Sequence, residues 1–243
     1  MSINSTEVSI DFYELPWDTK YFGVSCAKAI LYKPVSKSEW DELVSKFNNY
    51  QFISIENHNS EISNAMMIAS DTKAFLADIR IILVKQLTGI EKIPDSVKLY
   101  DAMPYDERII KMADYPSSKF VGDPMLNERG GADVYREWLS NSFGKPGKIF
   151  AMNEGEHGAL NGYLLFSFPN GICFPELMNV DDNSTNKGTG ISLFNTMASV
   201  AYQRGCTEIT AGTPLKNYKA INLYHKLGYK QTACHEIYHL WNI

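Results

Sequence analysis

Residues 185–190, Thr-Asn-Lys-Gly-Thr-Gly, separate a strand-like run at 175–180 from an amphipathic run that begins at Ile191. A glycine-rich turn in that position constrains the local fold strongly. It leaves the first-turn amides of the following helix unpaired, at the end where the helix dipole is positive. Backbone groups so arranged hold phosphate oxygens without any catalytic side chain. The run lacks the G-x-x-x-x-G-K-[ST] spacing of a P-loop and is too short for G-x-G-x-x-G, so the glycines alone are equally compatible with a plain loop that opens a helix.

A second pattern lies downstream, at Asn217-Tyr218-Lys219-Ala220-Ile221-Asn222-Leu223-Tyr224-His225-Lys226-Leu227-Gly228-Tyr229. Ala220, Leu223, Tyr224 and Leu227 recur at helical spacing and make one apolar face, and Gly228 sits where a helix stops. A short helix therefore buries a tyrosine. A strand-like run, 208–212, lies between the two motifs.

Together, x-x-x-G-x-G opening one helix and N-x-x-A-x-x-L-Y-x-K-x-G-Y forming the next resemble the acetyl-CoA site of the GNAT N-acetyltransferase superfamily. The resemblance covers roughly residues 117–243. It implies an α/β (α+β) GNAT fold: a central mixed, mostly antiparallel sheet flanked by helices, preceded here by a smaller α/β N-terminal domain. It also implies acetyl-CoA as the acyl donor. The strand before the turn, residues 175–180, then offers the main chain of Met178 and Val180 to the pantetheine arm. Amides from Lys187 through Gly188, Thr189, Gly190 and Ile191 hold the pyrophosphate, with the Lys187 amine free to approach it. Asn217 contacts the pantetheine or ties neighbouring backbone, and Tyr224 corresponds to the tyrosine that protonates the departing CoA thiolate in many members. The family usually places Arg or Gln where this chain has Thr185. Backbone amides do most of the phosphate binding in such a loop, so the resemblance survives the exchange.

Direct transfer needs an amine that loses a proton, a proton for the leaving thiolate, and a donor for the carbonyl oxygen. Glu176 is the candidate base, on the same period-2 face as Met178 and Val180. Its carboxylate either takes the amine proton, directly or through water, or is a hydrogen-bonded structural residue. Asp181 and Asp182 read as loop or cap residues.

The acceptor is approached through further resemblances. Leu15-Pro16-Trp17-Asp18-Thr19-Lys20-Tyr21-Phe22-Gly23, and Ser118-Lys119-Phe120 leading through Asp123-Pro124 into residues 132–142, look like segments of bacterial acetyltransferases acting on nucleotide-linked amino sugars. The TDP-fucosamine acetyltransferases of surface-polysaccharide synthesis are the type they resemble most. Tyr135 and Trp138 read as core aromatics, and Phe120, Arg129 and Asn141 as the candidates for an acceptor pocket. The alternatives are a GNAT enzyme for peptide, antibiotic or polyamine amines, and a non-catalytic CoA-binding module.

With 243 residues, 44% of them hydrophobic, the chain can form one large domain or two small ones. A net charge of −5 argues against nucleic acid as a partner. The first residues carry no basic leader, and no run approaches the about 18 apolar residues of a membrane span, so a cytoplasmic protein with no membrane partner is expected. A homodimer is compatible with the chain. Cys26, Cys173, Cys206 and Cys234 are scattered without a C-x-x-C pair and read as reduced thiols.

His235-Glu236-Ile237-Tyr238-His239 is a literal H-E-x-x-H. Its surroundings alternate like a strand, on which residues four apart stand about 13 Å apart, too far to share one zinc ion. A terminal strand and no metal are expected.

The chain divides in sequence near residues 115–118, giving an N-terminal α/β unit, 1–116, that helps to shape the acceptor site, and an acetyltransferase domain, 117–243. In the first, residues 36–48 open with a capping box, Ser36-x-x-Glu39, and form a helix; 51–56 and 75–84 read as strands and 59–70 as a helix. In the second, 132–143 and 191–203 read as helices and 148–153, 160–168 and 173–180 as strands.

Overall fold

The computed structural model describes residues 8–90, 93–181 and 188–243. In chain order the strands are β1 (Ile10–Glu14), β2 (Cys26–Leu31), β3 (Phe52–Asn57), β4 (Phe75–Gln86), β5 (Val97–Asp101), β6 (Ile149–Glu154), β7 (Leu160–Ser167), β8 (Phe174–Val180), β9 (Glu208–Pro214) and β10 (Lys230–Trp241). The helices are α1 (Pro16–Phe22), α2 (Lys37–Phe47), α3 (Ile62–Asp71), α4 (Glu107–Met112), α5 (Lys119–Gly122), α6 (Pro124–Asn127), α7 (Val134–Ser142), α8 (Thr189–Gln203) and α9 (Tyr218–Lys226).

Local chemistry sets several of these bounds. The Ser36 hydroxyl accepts from the Glu39 amide while the Glu39 carboxylate accepts from the Ser36 amide, so α2 begins with the reciprocal cap its sequence encodes. Helix α3 starts at Ile62, later than the apolar spacing predicts. Asn59 and Ser60 have φ of 56° and 51°, which no helix continues, and the Glu61 carboxylate caps the helix instead.

Strands β1-β2-β3-β10-β4-β9 form one sheet and β5-β6-β7-β8 another. Among the described residues, β2 and β3 are the one parallel pair within either sheet and the other sheet neighbours are antiparallel, the mixed and mostly antiparallel sheet expected. The two sequence segments meet here. β4 lies between β9 and β10, antiparallel to both, and β10 pairs with β3 on its other side. The first 116 residues thus contribute four strands to a sheet whose remaining two come from the last third.

Helices cover both faces. The long helix α8 buries Leu193, Phe194, Met197 and Ala201 against residues of both sheets, including Ile81, Leu83, Leu164 and Phe166. On the opposite face α4 and α7 cover the smaller sheet, with Leu139 beside Phe150 and Leu165, while Phe22, Leu126 and Val134 cover Cys26 and Phe52 of the larger one. Trp40, Leu43 and Ile68 cover Ala29, Ile53 and Ile55 at the β2-β3 end of the larger sheet. Fully burying each such side chain is worth roughly 1.5–3 kcal/mol.

Candidate active site

The two sheets come closest between β8 and β9, and there they barely join. β8 is laddered to β7 along its length, but among the described residues the one bridge to β9 is a parallel pair just before β8, Cys173 to Ile209, and beyond that point the two strands lie in separate sheets. The outer edge of β8 therefore leaves main-chain donors and acceptors without a strand partner, and such groups bind an extended amide-bearing ligand as a strand would. Met178 and Val180 lie on this strand, their side chains packed toward α8 and α9.

Past β8 the chain reaches Gly188, the N-cap of α8, held at φ +98°, a conformation that side chains rarely adopt. Gly188, Thr189, Gly190 and Ile191 are thereby brought to the end of β8, as the motif predicts. Lys187, like Thr185, Asn186 and Asp182, lies outside the described residues. A Cβ on Gly190 would sit 3.1 Å from Leu223 Cδ2 and 3.9 Å from Met178 Cε, so α8 and α9 meet closely there and a side chain at Gly190 would displace Leu223. The unpaired strand edge, the glycine cradle and the open first turn of α8 fit a pantetheine arm ending in a pyrophosphate.

Tyr224 stands behind this opening on α9. It is buried, with its ring 5.2 Å from Phe194 and 5.1 Å from Tyr229. Burial raises its hydroxyl pKa well above the usual value, which keeps the proton on the oxygen at neutral pH. The neighbouring Tyr229 hydroxyl is buried without a hydrogen-bond partner among the described residues. Asn217 ties backbone: it is the N-cap of α9, accepting from the Ala220 amide at 3.2 Å. Gly228 follows α9 at φ +84°, the left-handed stop its sequence implies.

Glu176 departs from its expected face. Leu177 is paired with Leu165 but Pro175 with Phe166, so Glu176 is the extra residue of a β-bulge and period-2 counting fails across it. Met178 and Val180 face α8, whereas Glu176 reaches the other side. There it accepts from Lys148 Nζ at 2.6 Å to each oxygen and from Trp138 Nε1 at 3.0 Å. With a side chain 3% exposed it reads as an ion-paired anchor between α7 and the sheet.

The three acceptor candidates separate as well. Phe120 packs with Phe22 and Tyr135 at 6.0 and 5.8 Å, half-buried on the same face as Glu176. Arg129 donates to the Met125 carbonyl at 2.8 Å and lies over the Trp241 ring, finishing α6. Asn141 is exposed and bonded to Glu137 one turn earlier on α7. The latter two are accounted for by local structure.

The acetyltransferase (GNAT) family profile matches residues 112–229. Those residues are a GNAT acetyltransferase domain. Over 201 residues the chain is 23% identical to the spore coat polysaccharide biosynthesis protein SpsD of Bacillus subtilis, covering 82% of this chain and 69% of that one. Among solved structures it resembles a conserved protein of unknown function from Staphylococcus epidermidis (TM-score 0.66, 13% identity, covering 98% of this chain and 94% of that one). It also resembles a GCN5-related N-acetyltransferase from Sphaerobacter thermophilus (TM-score 0.62, 11% identity, 96% and 76%). The family match indicates that residues 112–229 form an acyl-CoA-dependent N-acetyltransferase domain of GNAT type, and the solved structures share its fold.

The face shared by Glu176, Trp138 and Phe120 continues over the larger sheet as a cluster of charges that the sequence patterns did not reveal. Glu56 on β3 is 2.7 Å from Lys28 Nζ, 3.1 Å from His58 Nε2 and 3.6 Å from Arg80 Nη1. Burial raises its carboxyl pKa, but those three partners outweigh the burial and hold it well below the usual range. Lys119 of α5 approaches the same group. The available signal was a charged residue directly beside apolar ones in each strand: Lys28 in Ala-Lys-Ala, Glu56 after Ile55, and Arg80 in Ile-Arg-Ile.

The H-E-x-x-H residues are indeed on a strand, β10. His239 bonds Asp123, while His235 stacks on His58 at 3.9 Å and accepts from the Asn59 amide through Nδ1. Glu56, His58 and His235 lie close enough to share a cation. Lys28 and Arg80 already compensate that carboxylate, and the Nδ1 lone pair of His235 is taken, so the group fits a metal ion poorly.

Proposed function

We propose that this protein transfers an acetyl group from acetyl-CoA to the amine of a nucleotide-linked amino sugar. The observation that carries the donor half is the splayed β8 edge leading into the glycine start of α8, with Tyr224 behind it. Acetyl-CoA supplies the activated acetyl thioester.

The chain's own groups do the rest. The β8 edge aligns the donor and offers an amide to the carbonyl oxygen as charge develops. The Tyr224 hydroxyl, kept protonated by burial, is the proton donor for the departing thiolate. Glu176 is a positioning residue that locks Lys148 and Trp138, and the amine proton leaves through water.

For the acceptor half, the support is the likeness to a Bacillus subtilis protein named for spore coat polysaccharide biosynthesis, and the polar face of the first 116 residues that borders the transfer site. A thermal-shift screen with acetyl-CoA and a panel of nucleotide-linked amino sugars, followed by thiol-release turnover, tests both halves. Turnover of peptide, antibiotic or polyamine amines with none of the nucleotide sugars would replace the acceptor class. Absence of any acetyl-CoA shift would remove the donor.

A further inference from the structure

Three cations meet on the face that borders the transfer site, and they are short of partners. Lys28 and Arg80 share the single carboxylate of Glu56, which His58 also contacts. Lys119 makes no ion pair with any described residue; its amine rests 5.2 Å above the Phe120 ring. Burial lowers its pKa to about 8, helped by the charges of Arg80 and Lys28 and opposed by Glu56 and Asp18. Asp18 and Asp78 also act on these cations. Burial raises the pKa of both, and neither forms an ion pair with the three cations.

The register supplies neutral groups below the charges. Ser54 lies between Lys28 on β2 and His239 on β10, as cross-strand partner of each. Its hydroxyl is buried without a hydrogen-bond partner among the described residues. Buried polar atoms of this kind are usually satisfied by a ligand or ordered water.

The cluster also adjoins the acyl slot. Arg80 is the register partner of Pro214, the last residue of β9, and a Cβ on Gly212 would lie 3.3 Å from Arg80 Cδ. β9 is one wall of the opening beside β8, so an acceptor whose amine reaches the slot lays its remainder toward Arg80.

We infer that Lys28, Arg80 and Lys119 form an anion subsite that holds phosphate of the acceptor, the diphosphate bridge of a nucleotide-linked sugar being the chemistry that fits. The inference rests on the acceptor class proposed above. Two lysines and an arginine converging on one face offer charge-assisted contacts to an anionic guest, and the planar guanidinium suits paired phosphate oxygens. Desolvated cations gain more from such a guest than exposed ones.

The test compares the parent with Lys119→Met, Arg80→Met and Lys119→Arg. Each is assayed with a nucleotide-linked amino sugar, the corresponding amino-sugar 1-phosphate and the free amino sugar, with calorimetric titration of uridine and thymidine diphosphate alongside. Lys119→Met removes no ion pair, so it is expected to fold. The KM for phosphorylated acceptors should rise about tenfold or more in both methionine variants, since each loses at least one charge-assisted contact worth about 1.5–3 kcal/mol. Nucleoside-diphosphate binding should weaken in parallel. The KM for acetyl-CoA and turnover of the free amino sugar should stay at the parent's values, and Lys119→Arg should restore most of the affinity. A response shared by the 1-phosphate assigns the subsite to one phosphate; a response confined to the nucleotide-linked acceptor assigns it to the diphosphate. If the parent acetylates a nucleotide-linked sugar and both methionine variants keep its KM, the subsite is overturned and the acceptor class stands. If the parent acetylates none of the phosphorylated acceptors, the acceptor class falls and the subsite with it.

Discussion

Asp123 and His239 stand 116 residues apart in sequence and 2.7 Å apart in the fold, both side chains wholly removed from solvent. The same carboxylate oxygen accepts from Trp241 Nε1 at 3.0 Å, while the other caps α6 through the Met125 and Leu126 amides. One aspartate therefore pins the α5–α6 segment, and Lys119 with it, to the central strand β10.

The pair makes stability depend on acid. Burial pushes the His239 imidazole below its usual range, against the pull of Asp123. As pH falls below about 6.5 the unfolded chain takes a proton that the folded imidazole refuses, so stability declines. For Asp123, burial is outweighed by the bonds from His239 and Trp241 and the carboxyl is lowered, so its contribution is present above about pH 3.9 and lost below. Urea midpoints from pH 7 to 4 should fall, and fall less steeply between pH 6.5 and 5 in His239→Gln. An identical slope in the variant would assign the acid sensitivity elsewhere, His235 being the next candidate because burial and His58 lower it too.

Tyr224→Phe keeps the ring contacts with Phe194 and Tyr229 and removes the proton. The single-turnover rate should fall by about 10²-fold with acetyl-CoA affinity unchanged. Equal single-turnover rates would give the donor role to solvent or another group.

Gly188→Val places a β-branched side chain at φ +98° on an exposed turn with nothing within 4 Å of the new Cβ. The strain is local, so the variant should retain the parent's circular dichroism yet lose measurable acetyl-CoA binding in calorimetry. Unaltered affinity would mean that the start of α8 does not hold the cofactor.

Glu176→Gln leaves Lys148 without its counter-charge next to a nearly buried amide. Stability should drop by roughly 1–3 kcal/mol, and kcat should stay within a few-fold of the parent once the protein is saturated and folded. A loss of about 10³-fold in kcat with an unchanged melting temperature would instead restore Glu176 as a base.

The local structure of the proposed donor site was legible because it is short-range. A glycine turn, a helix cap and an apolar face of period 3.6 are each written within about a dozen residues, and Gly188, Gly190, Asn217 and Tyr224 fall where that writing puts them. Glu176 was misread because the β-bulge is a disagreement between two strands, invisible in either one. Lys28, Glu56, Arg80 and Lys119 escaped for a related reason: four segments spread over the first half of the chain supply one charge each, and strand register together with the docking of α5 brings them together. Arg129 and Asn141 were chosen as polar residues near a loop, a description that fits solvated helix ends equally well.

The place of β4 between β9 and β10 has a consequence for how the protein is made. During synthesis β3 and β4 emerge long before β10, the strand that bridges them, and β4 waits for both of its neighbours. Until residue 230 and those after it leave the ribosome, two apolar strands have open edges and nothing of their own to close them. Contacts this distant in sequence also slow the search for the native pairing. The nascent chain thus spends most of its translation in a state that chaperones must shield, and ribosome stalling late in the message should yield aggregation rather than a half-folded, soluble N-terminal fragment.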